Sequence, residues 1–96
     1  LGTPTQNKYS EGFPGRRVYT GTQVIDKIEN MAKQRALDLY NLDPEIWDVD
    51  VQCLSGSVAN TVAYSSVLEV GDRVLGMHLS DGGHFSHGLK VDDLPV

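Results

Sequence analysis

The sequence predicts an α/β fold, in which a helix connects two strands of an open sheet. Residues 49–54 and 73–79 are apolar runs typical of buried strands, and a helix-length segment lies between them. A serine–glycine–serine turn at 55–57 follows the first run. A loop rich in glycine and histidine, residues 81–88, follows the second. Because open α/β sheets bind ligands at the carboxyl ends of their strands, both segments are expected to face a ligand.

The first predicted element is an irregular arm over residues 1–23. Glycine and proline interrupt every hydrophobic period in this stretch. A long irregular segment in a compact domain is usually functional or disordered, and the aromatic residues Tyr9, Phe13 and Tyr19 argue against plain disorder.

Residues 24–40 are predicted to form a helix, with Thr22 as the N-cap and Asn41 with the Asp43–Pro44 step as the end. Its apolar positions follow helical spacing. They are Val24, Ile25, Ile28, Met31, Ala32, Ala36 and Leu39.

The remaining elements follow in the order turn, strand, helix, turn, strand. Residues 45–47 are predicted to form a turn that packs Trp47 inward, before the strand at 49–54. A second helix is predicted from about Val58 to Leu68, and a turn at Gly71–Asp72 leads into the strand at 73–79.

Composition narrows the classes of function. The 96 residues suffice for one small domain, and the net charge of −5 with a pI near 4.9 argues against nucleic-acid binding. No apolar run approaches the roughly 20 residues of a membrane span. The single cysteine, Cys53, excludes an intramolecular disulfide and is expected to be a small buried residue. Because the chain starts with Leu1 in a motif-dense stretch, we expect a fragment of a larger protein.

Ser55-Gly56-Ser57 has the features of a phosphate-binding turn. The first backbone N–H groups of a helix lack intrahelical acceptors, glycine permits close approach of an anion, and serine hydroxyls add donors. The alternative interpretation is a plain N-cap formed by Ser57.

The histidines admit several interpretations. His78, His84 and His87, with Asp81 as a fourth ligand, suggest a zinc site, but their spacing is not that of a known signature. The His84 ring is also suited to stacking on a planar ligand. An exposed loop histidine is the simplest alternative.

The arm carries further candidates. Glu11 is suited to general acid–base chemistry in a partly desolvated pocket, although a lone loop glutamate is usually solvated. Arg16 and Arg17 are expected to be a solvated pair, and Tyr19 a packing aromatic with its hydroxyl at the surface.

Considered together, three motifs resemble the serine hydroxymethyltransferase family. The resemblance covers about Asn7 to Gly88, in matching order and spacing. The motifs are residues 7–17 (NKYSEGFPGRR), residues 54–60 (LSGSVAN) and residues 77–88 (MHLSDGGHFSHG). The resemblance implies a fragment of the three-layer large domain of a fold-type-I pyridoxal-phosphate-dependent transferase, residues 24–96, preceded by an arm at the dimer interface, residues 1–23.

The resemblance also implies roles for single residues. Ser55, Gly56 and Ser57 would hold the cofactor phosphate, His84 would stack on the pyridine ring, and Tyr9 would reach the phosphate held by the neighbouring subunit. Glu11 would manage the proton near the serine hydroxyl, and Tyr19 would help to place the substrate. Folate contacts would come from Leu79, Gly83 and Phe85.

Three substitutions and two missing residues depart from the family pattern. Val18 and Thr20 stand where the family usually has a tyrosine that contacts folate and a glycine, and Phe13 replaces a common tyrosine. None of Lys8, Lys27, Lys33 and Lys90 has the sequence context of the family's Schiff-base lysine. The arginine that pairs with the substrate carboxylate is also missing.

The function expected from the resemblance is that of an intact parent enzyme. It would interconvert serine plus tetrahydrofolate with glycine plus methylenetetrahydrofolate, as a cytoplasmic or mitochondrial homodimer or tetramer, without a metal, nucleic acid or membrane. The chain by itself is expected to be inactive. A non-catalytic homologue that acts in assembly or binding is the rival interpretation, and a histidine-based metal-binding module is a weaker one.

Overall fold

The computed structural model describes residues 2–87. The chain forms two compact units, Leu1–Gln52 and Cys53–Val96. Leu1 lies outside the described residues, and so do residues 88–96, which include Gly88, Lys90 and the end of the predicted domain range 24–96. No helix within the described part of the chain is long and apolar enough to cross a membrane.

The arm contains a short antiparallel hairpin. Strand β1 (Gly12–Phe13) pairs with β2 (Arg16–Arg17), so that Gly12 lies opposite Arg17. Pro14 and Gly15 form the connecting turn, and a 3₁₀ turn at Pro4–Gln6 precedes the hairpin. Gly12 has a φ of 106°, and a Cβ at this position would lie 2.5 Å from the Arg16 carbonyl oxygen. Only glycine therefore fits the start of the hairpin.

Helix α1 spans Gln23–Tyr40, which confirms the predicted helix to within one residue at its start. It ends at Asn41, whose φ of 52° is left-handed and whose N–H bonds the Asp38 carbonyl at 3.1 Å. Thr22 occupies the N-cap position as predicted, but its side chain makes no capping hydrogen bond. Instead Thr22 is buried, and its carbonyl accepts the N–H of Asp26 at 2.9 Å.

The face of α1 that packs within its unit is partly polar, which the apolar pattern did not predict. Val24, Ile28, Met31 and Leu39, from the predicted apolar stripe, are 49–77% exposed. Leu37 is the one hydrophobic side chain that is buried among residues 2–87. Positions with partial or full burial recur at helical spacing on the other face. They are Ile25, Asp26, Glu29, Lys33, Ala36 and Leu37.

The two predicted strands, 49–54 and 73–79, are wrong for the described residues, where β1 and β2 are the only strands. A buried parallel strand takes its hydrogen bonds from neighbouring strands, and neither segment has one here. The turn before the first segment is confirmed, since Ile46 N–H bonds the Asp43 carbonyl at 3.0 Å. Trp47, predicted to pack inward, is 55% exposed, because no element covers it within its unit. Cys53, predicted to be buried, is half-buried.

The second unit is built on helix α2, Gly56–Val67, close to the predicted range of 58–68. The predicted turn at Gly71–Asp72 is confirmed, because Asp72 N–H bonds the Glu69 carbonyl at 3.1 Å and Gly71 has a φ of 103°. Two 3₁₀ turns follow, at Leu79–Asp81 and Phe85–His87. The second of these turns packs against α2.

Candidate functional site

The serine–glycine–serine turn lies at the N-terminus of α2, as its sequence predicted. Ser55, rather than Ser57, is the N-cap, and its hydroxyl accepts the N–H of Val58 at 3.3 Å. The N–H groups of Gly56 and Ser57 occupy the first two helical positions and so have no intrahelical acceptor. A Cβ built on Gly56 would meet nothing within 4 Å. The turn therefore presents open donors at the positive end of a 12-residue helix.

His84 is tethered to this same helix. Its Nδ1 lies 2.8 Å from the Ser86 hydroxyl and accepts the Ser86 N–H at 3.2 Å. The Ser86 hydroxyl accepts the side-chain N–H of Asn60 at 2.7 Å, and Asn60 lies in the second turn of α2. Because Nδ1 is an acceptor, a neutral His84 ring carries its proton on Nε2. The structure thus connects the phosphate-type turn and the predicted stacking ring through one helix.

The other two histidines have local partners. His78 is the N-cap of the 3₁₀ turn at Leu79–Asp81, since its Nδ1 accepts the Ser80 N–H at 3.3 Å. The same nitrogen lies 2.7 Å from the Ser80 hydroxyl. His87 Nδ1 hydrogen-bonds the hydroxyl of Tyr64 on α2. Within residues 2–87, no group of three or more His, Cys, Asp or Glu side chains could hold a metal ion.

The predicted folate residues lie around the same loop. Leu79 and Gly83 are half-buried, and Phe85 is 56% exposed with its ring centroid 6.4 Å from that of His84. Gly83 N–H bonds the His78 carbonyl at 2.9 Å. A Cβ on Gly83 would overlap the Met77 carbonyl oxygen and lie 2.8 Å from the His78 oxygen. Glycine is therefore required at position 83 because the backbone carbonyls of Met77 and His78 lie too close for a side chain.

The structure brings the two predicted tyrosines of the arm together. The ring centroids of Tyr9 and Tyr19 are 5.9 Å apart, with the planes tilted by 34°. Both line a cleft of about 410 Å³. The Lys8 ammonium bonds the Thr20 carbonyl, which joins the beginning of this segment to its end. Tyr9 remains 72% exposed and Tyr19 44% exposed, so both rings are accessible to a ligand.

Thr20 fits its turn without backbone strain. Asn41 is the one non-glycine residue with a positive φ among residues 2–87, so Thr20 does not adopt the left-handed conformation. Gly21 takes that conformation, with a φ of 76°. Thr20 therefore does not need the positive φ that glycine permits. Val18 is 71% exposed.

Glu11 is exposed and lines a cleft of about 600 Å³. The apolar wall of the cleft includes Ile25 and Ile28 of α1, and its polar lining includes Glu29 and Gln52. The Glu11 carbonyl accepts the N–H of Val18 at 2.9 Å, which extends the pairing of the hairpin. Glu11 therefore borders a cleft whose lining is partly apolar and partly polar.

Arg17 is not solvated as the sequence predicted, because its side chain is only 4% exposed. Its Nε donates to Asp26 at 2.8 Å, and its Nη2 donates to Glu29 at 2.7 Å. The hydrogen bonds that Arg17 donates to Glu29 and Asp26 raise the pKa of Arg17. In turn, the hydrogen bond from Arg17 and the N–H of Gly15 lower the pKa of Asp26. The prediction failed because these partners lie 9 and 12 residues further along the chain.

Sequence reasoning missed several residues that organise the candidate site. The Gln52 amide donates to the Gly12 carbonyl at 2.9 Å. The one feature of the sequence that could have indicated this role is that a polar Gln52 lies within an otherwise largely apolar run. Asn60 and Ser86 lie inside the quoted motifs, but nothing in their spacing predicts the contact between them.

Comparison with known proteins agrees with the motifs. The family model described as serine hydroxymethyltransferase matches residues 1–96. The mitochondrial serine hydroxymethyltransferase of Candida glabrata is 60% identical over 91 residues, which cover 95% of this chain and 19% of that protein. The mitochondrial protein of Saccharomyces cerevisiae and the cytosolic protein of Aspergillus fumigatus are 54% and 56% identical, with the same coverage.

The chain thus spans about a fifth of the length of these relatives. Since the family model matches the chain from its first residue to its last, the chain belongs to the serine hydroxymethyltransferase family.

Proposed function

We propose that the protein to which this chain belongs interconverts serine plus tetrahydrofolate with glycine plus methylenetetrahydrofolate. The observation that carries the proposal is that the Ser55–Ser57 turn and His84 are both attached to one helix. The turn lies at the helix N-terminus, and His84 is tethered to the helix through Ser86 and Asn60.

The donor set of the second unit fits pyridoxal phosphate. The open N–H groups at Gly56 and Ser57, with the Ser57 hydroxyl, suit the phosphate of that cofactor. The exposed ring of His84 suits its planar pyridine ring. When bound, the cofactor supplies an electron sink for negative charge that develops on the substrate carbon.

The arm supplies the proposed proton chemistry. Glu11 holds the proton that moves at the substrate hydroxyl, and Tyr19 orients the substrate beside it. Tyr9, which stacks loosely with Tyr19, reaches the cofactor phosphate of the neighbouring subunit. The exposure of both tyrosine rings leaves them accessible to a ligand, which supports their roles.

The folate would lie against the loop around His84. Leu79 and Phe85 offer apolar contact to its ring, and Gly83 offers a surface without a side chain. Val18 offers a smaller apolar surface than the tyrosine usual in the family, so folate binding is expected to be weakened at this position. The co-substrate assignment depends on the family rather than on a hydrogen bond within residues 2–87.

The architecture we propose for the complete protein is the three-layer fold of fold-type-I pyridoxal-phosphate enzymes. Residues 1–23 would form the arm at the dimer interface, and residues 24–96 the first part of the large domain. The segments 49–54 and 73–79 would then become strands, because neighbouring strands supply their hydrogen bonds. We propose assembly as a dimer or tetramer. A location in the cytoplasm or mitochondria agrees with the names of the relatives, which include mitochondrial and cytosolic proteins.

Steady-state assay of the complete protein tests this proposal. The protein, loaded with pyridoxal phosphate and supplied with saturating tetrahydrofolate, should form glycine from serine. Without tetrahydrofolate, it should not. Cofactor binding, followed by absorbance, is the control for correct folding. Protein that binds the cofactor but releases no glycine would instead support a non-catalytic homologue.

A further inference from the structure

The nearly buried guanidinium of Arg17 joins two sets of oxygen atoms. On one side, Asp26 and Glu29 of α1 accept from Nε and Nη2 at 2.8 Å and 2.7 Å. On the other side, Nη1 donates to the carbonyls of Ser10 at 2.8 Å and Gly12 at 2.6 Å. Those two carbonyls belong to the residues immediately before and after Glu11. Hydrogen bonds from a charged donor are roughly twice as strong as neutral ones, so this attachment is firm.

Gln52 strengthens the same attachment from a distant part of the chain. Its side-chain amide donates to the Gly12 carbonyl and to Glu29 Oε1, both at 2.9 Å. Glu29 therefore accepts from Arg17 with one oxygen and from Gln52 with the other. The Gly12 carbonyl uses both of its lone pairs on these two donors.

As a result, three consecutive carbonyls around Glu11 are held. Ser10 and Gly12 are bonded by the side chains just described, and the Glu11 carbonyl accepts from Val18 N–H at 2.9 Å. Fixed peptide planes on both sides determine the backbone dihedrals of Glu11 and therefore the direction of its Cα–Cβ bond. The side chain is left to choose only among its rotamers above the cleft.

We propose that Arg17 and Gln52 are positioning residues that aim the Glu11 carboxylate at the reacting substrate. This inference rests on the proposed function, in which Glu11 manages the proton. A displacement of about 1 Å at a reacting group can reduce turnover about 100-fold. A donor clamp on the flanking carbonyls is therefore able to control the rate without touching the substrate.

Gln52 allows the proposal to be tested without disrupting the fold. The residue is exposed, and Gln52→Met keeps the approximate size of the side chain while removing its amide and therefore the donor. Gln34→Met is the matched control, because Gln34 is exposed on α1 and, among residues 2–87, its amide bonds only Asp38, at 2.8 Å. Arg17→Lys, which retains the charge but loses the planar fork, is the second variant.

The experiment uses the complete protein loaded with pyridoxal phosphate. Gln52→Met should lower kcat about 10- to 100-fold, with the serine KM and the cofactor spectrum close to those of the unmodified protein. Gln34→Met should leave kcat unchanged. Full activity in Gln52→Met would overturn the proposal, and so would an equal loss in both glutamine variants.

A double variant separates positioning from a general structural effect. If Gln52 acts through Glu11, then Glu11→Gln combined with Gln52→Met should turn over no more slowly than Glu11→Gln by itself. Multiplied losses would overturn the proposal. Near-normal turnover in Glu11→Gln would instead overturn the proposed function of Glu11, whereas a slow Glu11→Gln with a fully active Gln52→Met would overturn the clamp only.

Discussion

Asn60 donates its side-chain N–H to the hydroxyl of Ser86 at a distance of 2.7 Å. This contact joins the second turn of α2 to the 3₁₀ turn at Phe85–His87. Since the same hydroxyl lies 2.8 Å from His84 Nδ1, the orientation of the ring depends on the helix whose N-terminus is the proposed phosphate site. One rigid element is therefore expected to place both parts of the cofactor site.

Removal of the His84 ring should weaken cofactor binding. In the complete protein, His84→Ala is expected to raise the Kd for pyridoxal phosphate and to change the absorbance of the bound cofactor, because the stacking surface is lost. Ser86→Ala should have the same effect to a smaller degree, since it cuts the tether but keeps the ring. Titration monitored by absorbance measures both.

Ser66→Ala serves as the control, because within the described part of the chain the Ser66 hydroxyl bonds only the Ala63 carbonyl of its own helix, at 2.7 Å. An unchanged cofactor spectrum and affinity in His84→Ala would remove the stacking role.

The complete protein should not bind zinc at a defined stoichiometry, and a chelator should leave its activity intact. Loss of activity on chelation would favour a metal site.

Replacement of Glu11 should slow chemistry more than binding. Glu11→Gln keeps the size of the side chain but removes its ability to transfer a proton, which is typically worth about 10²–10⁴-fold in rate. The variant should bind cofactor and serine almost normally. Steady-state kinetics with separate binding titrations checks this, and near-normal kcat would remove the assignment.

The proposed crossing of the arm between subunits makes a further prediction for Glu11→Gln. Mixed with a variant that lacks only the Schiff-base lysine, it should regain part of its activity, because a hybrid dimer can assemble one complete site. Activity measured after subunit exchange provides the test. Hybrids that form, as verified by mass spectrometry, but stay inactive would contradict the crossing arm.

The ion pair of Arg17 with Asp26 should make stability depend on pH. The pKa of Asp26 is lowered below its ordinary value of 3.8 by the hydrogen bonds from Arg17 and from the N–H of Gly15. Its contribution is therefore fully present above about pH 4 and is lost as the pH falls through the lowered pKa. The midpoint of urea unfolding of Asp26→Asn should vary less between pH 2 and 5 than that of the unmodified protein.

Asp48 offers a control for this pH effect. Its pKa is also lowered, by the hydrogen bond from Lys33 and by the N–H of Val49, but its side chain is 80% exposed. Solvent screens such an exposed pair, so Asp48→Asn should change the pH profile less than Asp26→Asn. Identical profiles for both variants would contradict a special role of the Arg17 pair.

The 96-residue chain, purified by itself, should be inactive and should associate or unfold easily. It lacks the Schiff-base lysine expected from the family, and Val24, Met31 and Leu39 of α1 are 69%, 52% and 77% exposed. Exposed apolar side chains favour self-association, and a small domain has little stability to lose. Sedimentation and urea unfolding test this, and a cooperative monomeric transition would count against it.

Local signals predicted the helices well. The start of α1 after Thr22 and its end at Asn41 depend on residues within one or two turns of the chain, so the sequence contains the whole cause. The turn at Gly71–Asp72 was predictable for the same reason. The phosphate-type turn lay where the end of an apolar run and the start of a helix placed it.

Features that depend on distant partners were not predictable. The segments 49–54 and 73–79 have the composition of strands, but a strand exists only when neighbours complete its hydrogen bonds. Arg17 was expected to be solvated. That prediction was wrong because Asp26 and Glu29 become its neighbours only after the hairpin folds onto α1. The bond from Gln52 to Gly12 spans 40 residues, beyond the range of any local pattern.

The close contact of Gly83 with the Met77 and His78 carbonyls has a genetic consequence. Every missense change in the Gly83 codon adds a Cβ atom, and that atom has no space unless the backbone of the loop moves. The size and polarity of the new side chain are therefore secondary, and alanine and arginine should both be selected against. In a saturation-mutagenesis library, this codon should tolerate only synonymous changes.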